Sequence, residues 1–218
     1  MLCVFDVNET LLDLAALDGF FADLTGTPEA RPEWFSLLIH NAVTLTAARR
    51  YRPFGEIAAA CLAAVAERHG RTATTDDQLE LGSRLRRLPA HPDAAEAIGK
   101  LRDAGHGVVT LTNSTLDVAE DQLRNAGLRD IVDDAYSADQ AGFLKPAPEP
   151  YRHVLKATAT SPGDAVMIAA HDWDVAGAAA AGMRTIFISR HGETPLPACQ
   201  APTLTADSLR AVAEALTS

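Results

Sequence analysis

"LCVFDVNETLLDL" (residues 2–14) stands almost at the start of the chain and decides how the rest is read. Four apolar residues, Leu2-Cys3-Val4-Phe5, run without alternation and stop at Asp6. An unbroken apolar run bounded by polar residues suits a strand buried on both faces, as in parallel sheets covered by helices. Runs of the same kind recur at "GVVTLT" (107–112), "AVMIAA" (165–170) and "RTIFIS" (184–189), with a shorter candidate at "DIVDDAYS" (130–137). Helical patterns separate them at 92–105, 115–127, 149–158 and 174–182. Gly105 and Gly127 fall just past a last turn, where a left-handed cap favours glycine. Strand and helix in alternation predict an α/β fold: a doubly wound, Rossmann-like parallel sheet with helices on both faces.

Residues 13–88 break this rhythm. They hold four helical stretches and no strand: "DLAALDGFFADLTG", "EWFSLLIHNAVTLTAARR", "FGEIAAACLAAVAERHG" and "TDDQLELGSRLRRL". Four helices in series are expected to pack as a small bundle. The chain therefore reads as a Rossmann-like core of residues 1–12 and 89–218, interrupted after its first strand by a helical cap of residues 13–88.

Composition narrows the partners. At 218 residues the chain can bury a substantial core. A formal charge of −10 argues against nucleic acid and anionic membranes, which call for a basic face. The longest apolar stretches, such as "IAAACLAAVA" (57–66), are too short to cross a bilayer. With no targeting segment visible, the cytoplasm is the expected location. Cys3, Cys61 and Cys199 show no metal-type spacing, and Cys3 is expected to be a small buried hydrophobe rather than a nucleophile. His69, His91, His106, His153 and His191 likewise lack metal spacing and are expected on the surface.

In an open α/β sheet the ligand crevice lies beyond the carboxyl ends of the strands. Here those ends carry Asp6, Asn8, Glu9 and Thr10 after the first run, and Thr112, Asn113 and Ser114 after "VVTL". His171, Asp172 and Asp174 follow "VMIAA", and Lys145 sits in the loop "AGFLKPAPEPY". Asp174 also suits the N-cap of the helix that follows it.

These residues carry a resemblance. "FDVNETLLDL", "LTNS", "FLKPAPEPY" and "IAAHDWDVAGAAAAGM" occur in the order and spacing of the four motifs of the haloacid dehalogenase superfamily. Within it the chain is similar to the type II 2-haloacid dehalogenases, along essentially its whole length. The resemblance implies that Asp6 is a nucleophile forming an ester with a short 2-haloacid, with inversion at the carbon attacked, and that Lys145 holds Asp6 ionised. Thr112, Asn113 and the backbone N–H groups of Val7 and Asn8 would bind carboxylate or halide. It also implies a homodimer.

Phosphatases of the superfamily use Asp-x-Asp, and here position 8 is Asn, which cannot protonate an alkoxide. Their metal-binding aspartate, four residues before Asp174, is replaced by Ala170. No metal or other cofactor is expected. A Mg²⁺-dependent phosphatase is the alternative, and an idle binding or dimerisation module is a third reading.

Three departures from the type II pattern bear on mechanism. Position 9, usually glycine, is Glu9; the fourth motif has Ala169 and His171 in place of serine and asparagine; and the usual cap arginine falls at Phe35, after Trp34. Glu9 and His171 are expected to pair, with the imidazole activating the water that cleaves the Asp6 ester. Without that arginine, carboxylate and halide would rely on Asn113, Lys145, His40 and main-chain donors, with Phe35 reshaping the pocket. Trp173 is expected to pack rather than touch substrate.

Overall fold

The structure, a computed structural model, describes residues 1–190, 192–196 and 198–218, so His191 lies outside the described residues. Among the described residues six strands form one parallel sheet: β1 (Leu2–Phe5), β2 (Gly107–Thr112), β3 (Asp134–Ser137), β4 (Ala165–Ala169), β5 (Arg184–Ile188) and β6 (Leu204–Ala206). The spatial order is β3-β2-β1-β4-β5-β6. Strand order reverses between β1 and β4, which makes their carboxyl ends the crevice of the sheet. Phe5 pairs in register with Thr110 of β2 and Ile168 of β4, so the residues following these three strands emerge side by side.

Both faces of the sheet are apolar, which is why the strand runs do not alternate. Cys3, Phe5, Val166, Ile168 and Ile186 belong to one core cluster, which includes Ile98 and Leu101 of α5 (Ala94–Asp103) and Val212 of α9 (Leu209–Thr217). Leu2, Val4, Val109, Leu111 and Met167 face the other way and pack with Tyr151 and Val154 of α7 (Pro148–Ala157) and Val175 of α8 (Asp172–Ala180). Burial pushes the Cys3 thiol up to about 12, so it packs as a hydrophobe.

Between β1 and β2 the chain forms α1 (Asp18–Thr25), α2 (Ala30–Ala47), α3 (Phe54–Arg68) and α4 (Thr75–Leu85) before α5. Phe21, Trp34, Leu38, Leu62 and Leu81 join these helices to Leu11, Leu12 and Leu14 in the first core cluster. The Trp34 indole donates to the Ala58 carbonyl at 2.9 Å, fastening α2 to α3. α6 (Leu116–Asn125) returns over the sheet after β2. No helix among the described residues is long and apolar enough to cross a membrane.

Three details differ from the sequence expectation. The run at 130–137 yields a strand only from Asp134, because Arg129–Ile131 forms a 3-10 turn. α8 starts at Asp172 with His171 in the N-cap position, so Asp174 lies in the first turn and does not cap. The histidines at 69, 91, 106 and 153 are half-buried rather than on the open surface. His91, for instance, bonds the Glu9 carbonyl at 3.1 Å.

Candidate active site

Asp6 leaves β1 at the crevice and is 4% exposed. Its Oδ1 accepts from Lys145 Nζ at 2.8 Å. Its Oδ2 accepts from Thr10 Oγ1 at 2.8 Å and lies 3.1 Å from His171 Nδ1. Thr10 Oγ1 in turn accepts the Ala170 N–H at 2.9 Å, which ties the loop after β1 to the end of β4. An ionised carboxylate can only accept, so the proton in the Asp6–His171 contact sits on Nδ1. His171 Nε2 is buried and makes no hydrogen bond.

Lys145 is the hub. Its ammonium donates to Asp6, to the Leu111 carbonyl at 2.8 Å and to Asp174 Oδ2 at 2.6 Å. Three donors thus meet three acceptors, and the group tolerates complete burial. Asp174 Oδ1 accepts from the Tyr151 hydroxyl at 2.6 Å. The Lys145 backbone N–H is held by Asn113 Oδ1 at 2.8 Å, which leaves the Nδ2 donors of Asn113 as the groups available to a ligand.

These neighbours set the charges. Burial pushes the Asp6 pKa up, but the Lys145 charge and the His171 hydrogen bond and charge outweigh it, holding Asp6 well below the usual carboxylate range. Burial pulls Lys145 down, and the charges of Asp174 and Asp6 more than restore it. For Asp174, burial raises the pKa, Lys145 opposes and the Asp6 charge adds, so the net direction is upward. Of the two carboxylates sharing one ammonium, Asp6 is therefore the more firmly ionised. Burial would lower the His171 pKa, yet its bond to Asp6, with the charges of Asp6, Glu9 and Asp174, carries it above the ordinary imidazole value.

The expected Glu9–His171 hydrogen bond does not form. Glu9 instead accepts from Arg31 Nη1 of α2 at 3.2 Å, and Arg31 also pairs with Asp18 of α1. The cause lies in the backbone: Glu9 has φ 64°, a left-handed conformation that glycine adopts freely and that costs other residues about 1 kcal/mol. Glu9 reaches His171 through space only, by its charge. His40 also departs from expectation: it lies on the exposed side of α2, and its neighbour Ile39 lines the chamber around Asp6. Val7 is fully buried, and its carbonyl accepts from Leu11 and Leu12, so a binding role for Val7 rests on its backbone N–H. Asn8 Oδ1 accepts from Gln122 of α6 at 3.0 Å, and Gln122 also donates to the Leu85 carbonyl of α4.

Thr112, Asn113, Phe35, Lys145 and His171 do meet around Asp6, in a chamber of about 10 Å³ that Phe54, Ile39 and Trp173 also line. His171 is sandwiched there: Trp173 stacks on it with centroids 5.1 Å apart, and Phe35 lies 5.3 Å away on a tilted plane. Two aromatic faces favour the cationic ring. Trp173 thus borders the site, beyond the packing role expected of it. Tyr151 and Gln122 border the site without having been expected there, and Thr10, expected at the strand end, had been given no role. Thr10 was legible as a strand-end hydroxyl, whereas nothing in "PEPY" marks Tyr151 as the partner of a carboxylate 23 residues on.

A hard dication demands several oxygen ligands in near-octahedral array. The two carboxylates that would share it, Asp6 and Asp174, share the Lys145 ammonium instead. Position 170, an alanine, offers no side-chain oxygen, and its backbone N–H is given to Thr10. The donor set does not fit Mg²⁺. Among the described residues no group of three or more His, Cys, Asp or Glu is placed to hold a metal.

Gly177 on α8 makes this packing possible. A Cβ there would lie 2.6 Å from the Tyr151 hydroxyl and 2.7 Å from both the Pro146 carbonyl and its Cβ. Gly177→Ala is expected to destabilise the fold by about 1–3 kcal/mol, as overpacking does, and to lower turnover by shifting Lys145 and Tyr151 together. Urea denaturation and a rate assay on the same sample check this, and a neutral variant would show that the loop yields freely.

The chain is similar to known proteins in sequence and in fold. Residues 1–182 match the family model for haloacid dehalogenase-like hydrolases. The (S)-2-haloacid dehalogenase 4A of Burkholderia cepacia is 30% identical over 202 residues, covering 88% of this chain and 84% of that protein. The phosphoserine phosphatase of Thermus thermophilus is 30% identical over 229 residues, covering 96% and 92% respectively. The crystal structure of a dehalogenase with an intermediate complex superimposes with a TM-score of 0.92 at 26% identity, covering 100% of this chain and 97% of that one. On the matched length, the strand order and the placement of the four motifs, the chain belongs to the haloacid dehalogenase-like hydrolases.

Proposed function

We propose that the protein hydrolyses short 2-haloalkanoic acids to 2-hydroxy acids through an ester on Asp6. The observation that carries this reading is the buried Asp6–Lys145 pair beside Asn8. Asp6 is a firmly ionised nucleophile, and the position from which a leaving group would be protonated carries an amide. Such a site suits a leaving group that departs as a stable anion, as halide does. An alkoxide leaving in that first displacement would find no acid at position 8, and the donor set leaves no place for the Mg²⁺ of the alternative phosphatase.

Oδ2 of Asp6 already accepts two bonds and Oδ1 one, so Oδ1 keeps a lone pair for attack. Oδ1 bonds to the halogen-bearing carbon from the back, and halide leaves with the bonding pair, inverting the centre. Forming the ester removes the Asp6 charge, so His171 loses its counter-ion and sheds its proton. The neutral Nε2 then takes a proton from a water that attacks the Asp6 carboxyl carbon. Thr10 Oγ1 and His171 Nδ1 steady the charge that grows on Oδ2. Breaking the Cγ–Oδ1 bond of Asp6 releases the product alkoxide, which takes that proton back from His171, and the regenerated Asp6 carboxyl passes the water's second proton to the neutral imidazole, restoring the Asp6–His171 ion pair. Asp174, with Tyr151, keeps Lys145 in place throughout, and Asn113, Thr112 and the Val7 and Asn8 N–H groups hold the substrate's carboxylate and the halide. The helices of residues 13–88 serve as the cap, with Phe35 closing the site over His171.

Halide release from chloroacetate and from each enantiomer of 2-chloropropionate, with and without a chelator, tests the reading. Relatives named for (S)-2-haloacids make the (S) enantiomer the expected substrate. No release from any of the three would overturn it. A homodimer and a cytoplasmic location belong to the same reading, the first checked by light scattering and the second by cell fractionation.

The pH dependence checks the imidazole. In the free enzyme His171 titrates above the ordinary value, and its cationic form helps capture an anionic substrate. kcat/KM is therefore expected to fall as pH rises through that raised pKa. In the ester the same ring titrates lower and must be neutral to act, so kcat is expected to rise with pH through the lower value. His171→Gln should remove both limbs; profiles that keep them would take His171 out of the mechanism.

A further inference from the structure

Beside the Asp6 chamber lies a second space that the chemistry above does not use. It measures about 290 Å³ and is enclosed by cap helices α2, α3 and α4 on one side and the start of α6 on the other. The Asp6 chamber, at about 10 Å³, has room for about one water molecule, so a haloacid enters only if a wall gives way. Asn8, Phe35 and Phe54 border both spaces and form that wall. Asn8 is held by Gln122, whereas the two phenyl rings have torsions that can turn and join the spaces.

The lining decides what the larger space takes. Leu14, Trp34, Leu38, Ala58 and Leu85 make it apolar. Its one charged residue, Arg86, is already paired with Asp117 at 2.7 Å and Asp121 at 2.6 Å, so it offers little to an anion. The cations that suit a carboxylate, Lys145 and protonated His171, lie on the Asp6 side of the wall. A molecule spanning both spaces is therefore charged at one end and apolar at the other. At the outer end the cavity is bordered by Gly55 and Gly82, both exposed, and a Cβ on either would meet nothing within 4 Å. The mouth opens there, between the start of α3 and α4.

We propose that this cavity receives the substituent on the halogen-bearing carbon, and that the substrates are 2-haloacids carrying an aryl or branched-alkyl group. The inference rests on the dehalogenase reading and adds the substrate class. The test compares halide release from 2-bromo-3-phenylpropanoate and from 2-bromopropanoate by wild type, Ala58→Leu and Gly82→Leu. Ala58→Leu fills the cavity from within. Gly82→Leu narrows its mouth without a clash and places a better helix former in α4, so it carries the test if the first variant folds poorly.

Wild type is expected to prefer the phenyl acid at least tenfold in kcat/KM, and each variant to cut that preference at least tenfold. Calorimetric binding of 3-phenyllactate against lactate should show the same preference and the same loss. Release from 2-bromopropanoate with no advantage for the phenyl acid, or an advantage that survives both variants, overturns the cavity assignment and leaves the dehalogenase reading standing. No halide from either acid overturns that reading and the substrate class with it.

Discussion

Asp6→Asn is expected to abolish halide release, lowering kcat by about 10⁴-fold or more, as removal of a covalent nucleophile does. Asparagine preserves the shape of the side chain and loses the negative charge that Lys145, Thr10 and His171 converge on. The same step has a direct chemical signature. With enzyme in excess over substrate in heavy-oxygen water, a single turnover through an ester places the label in Asp6 and leaves the product's new hydroxyl unlabelled. Direct displacement by water places it in the product. Mass spectrometry of the N-terminal peptide and of the hydroxy acid separates the two routes, and label confined to the product would sink the ester mechanism.

Lys145→Met is expected to cost about 3–5 kcal/mol of stability together with most of the activity, because it strands two buried carboxylates around one lost cation. Asp6 is 6% and Asp174 0% exposed at the side chain, so water cannot replace the ammonium without opening the packing. One or both carboxylates would then take up a proton, and a protonated Asp6 is no nucleophile. Adding Asp174→Asn to this variant removes one stranded charge. The double variant is expected to recover part of the stability and none of the turnover. Urea denaturation of the three proteins checks it. A Lys145→Met protein as stable as wild type would mean that the lysine serves catalysis alone.

The fold was legible because its strands are buried on both faces. That burial writes itself into the chain as unbroken apolar runs, and the helical gaps between them made the sheet parallel; the strand order came from the structure. The C-terminal pair escaped notice for the same reason in reverse: β6 is three residues long and its middle residue, Thr205, is exposed, so it leaves no apolar run. Asp6, Asn113 and His171 were legible as polar groups following those runs, and Lys145 as a lone cation in the loop of the third motif. Asp6, Asn113, Lys145 and His171 meet because β1, β2 and β4 are neighbours in register and the loop carrying Lys145 folds back beneath them.

Partnerships were not legible, since they depend on torsions and on distances across the fold. Glu9 has the chemistry to pair with His171, yet its left-handed backbone turns it to Arg31 of the cap. His171 binds Asp6 itself, and its ring is held between Phe35 and Trp173. Ile39 lines the chamber where His40 was expected, because one residue of helix rotates a side chain by about 100°. By itself, then, the sequence determined the doubly wound sheet and the inserted helices, which follow from burial patterns, and it pointed to Asp6 and Lys145 as the proposed nucleophile and its partner through strand ends and the resemblance of the four motifs. Only the tertiary structure decided which groups share protons and charge with Asp6 and what space lies beside it, because those depend on side chains brought together from elements up to 165 residues apart.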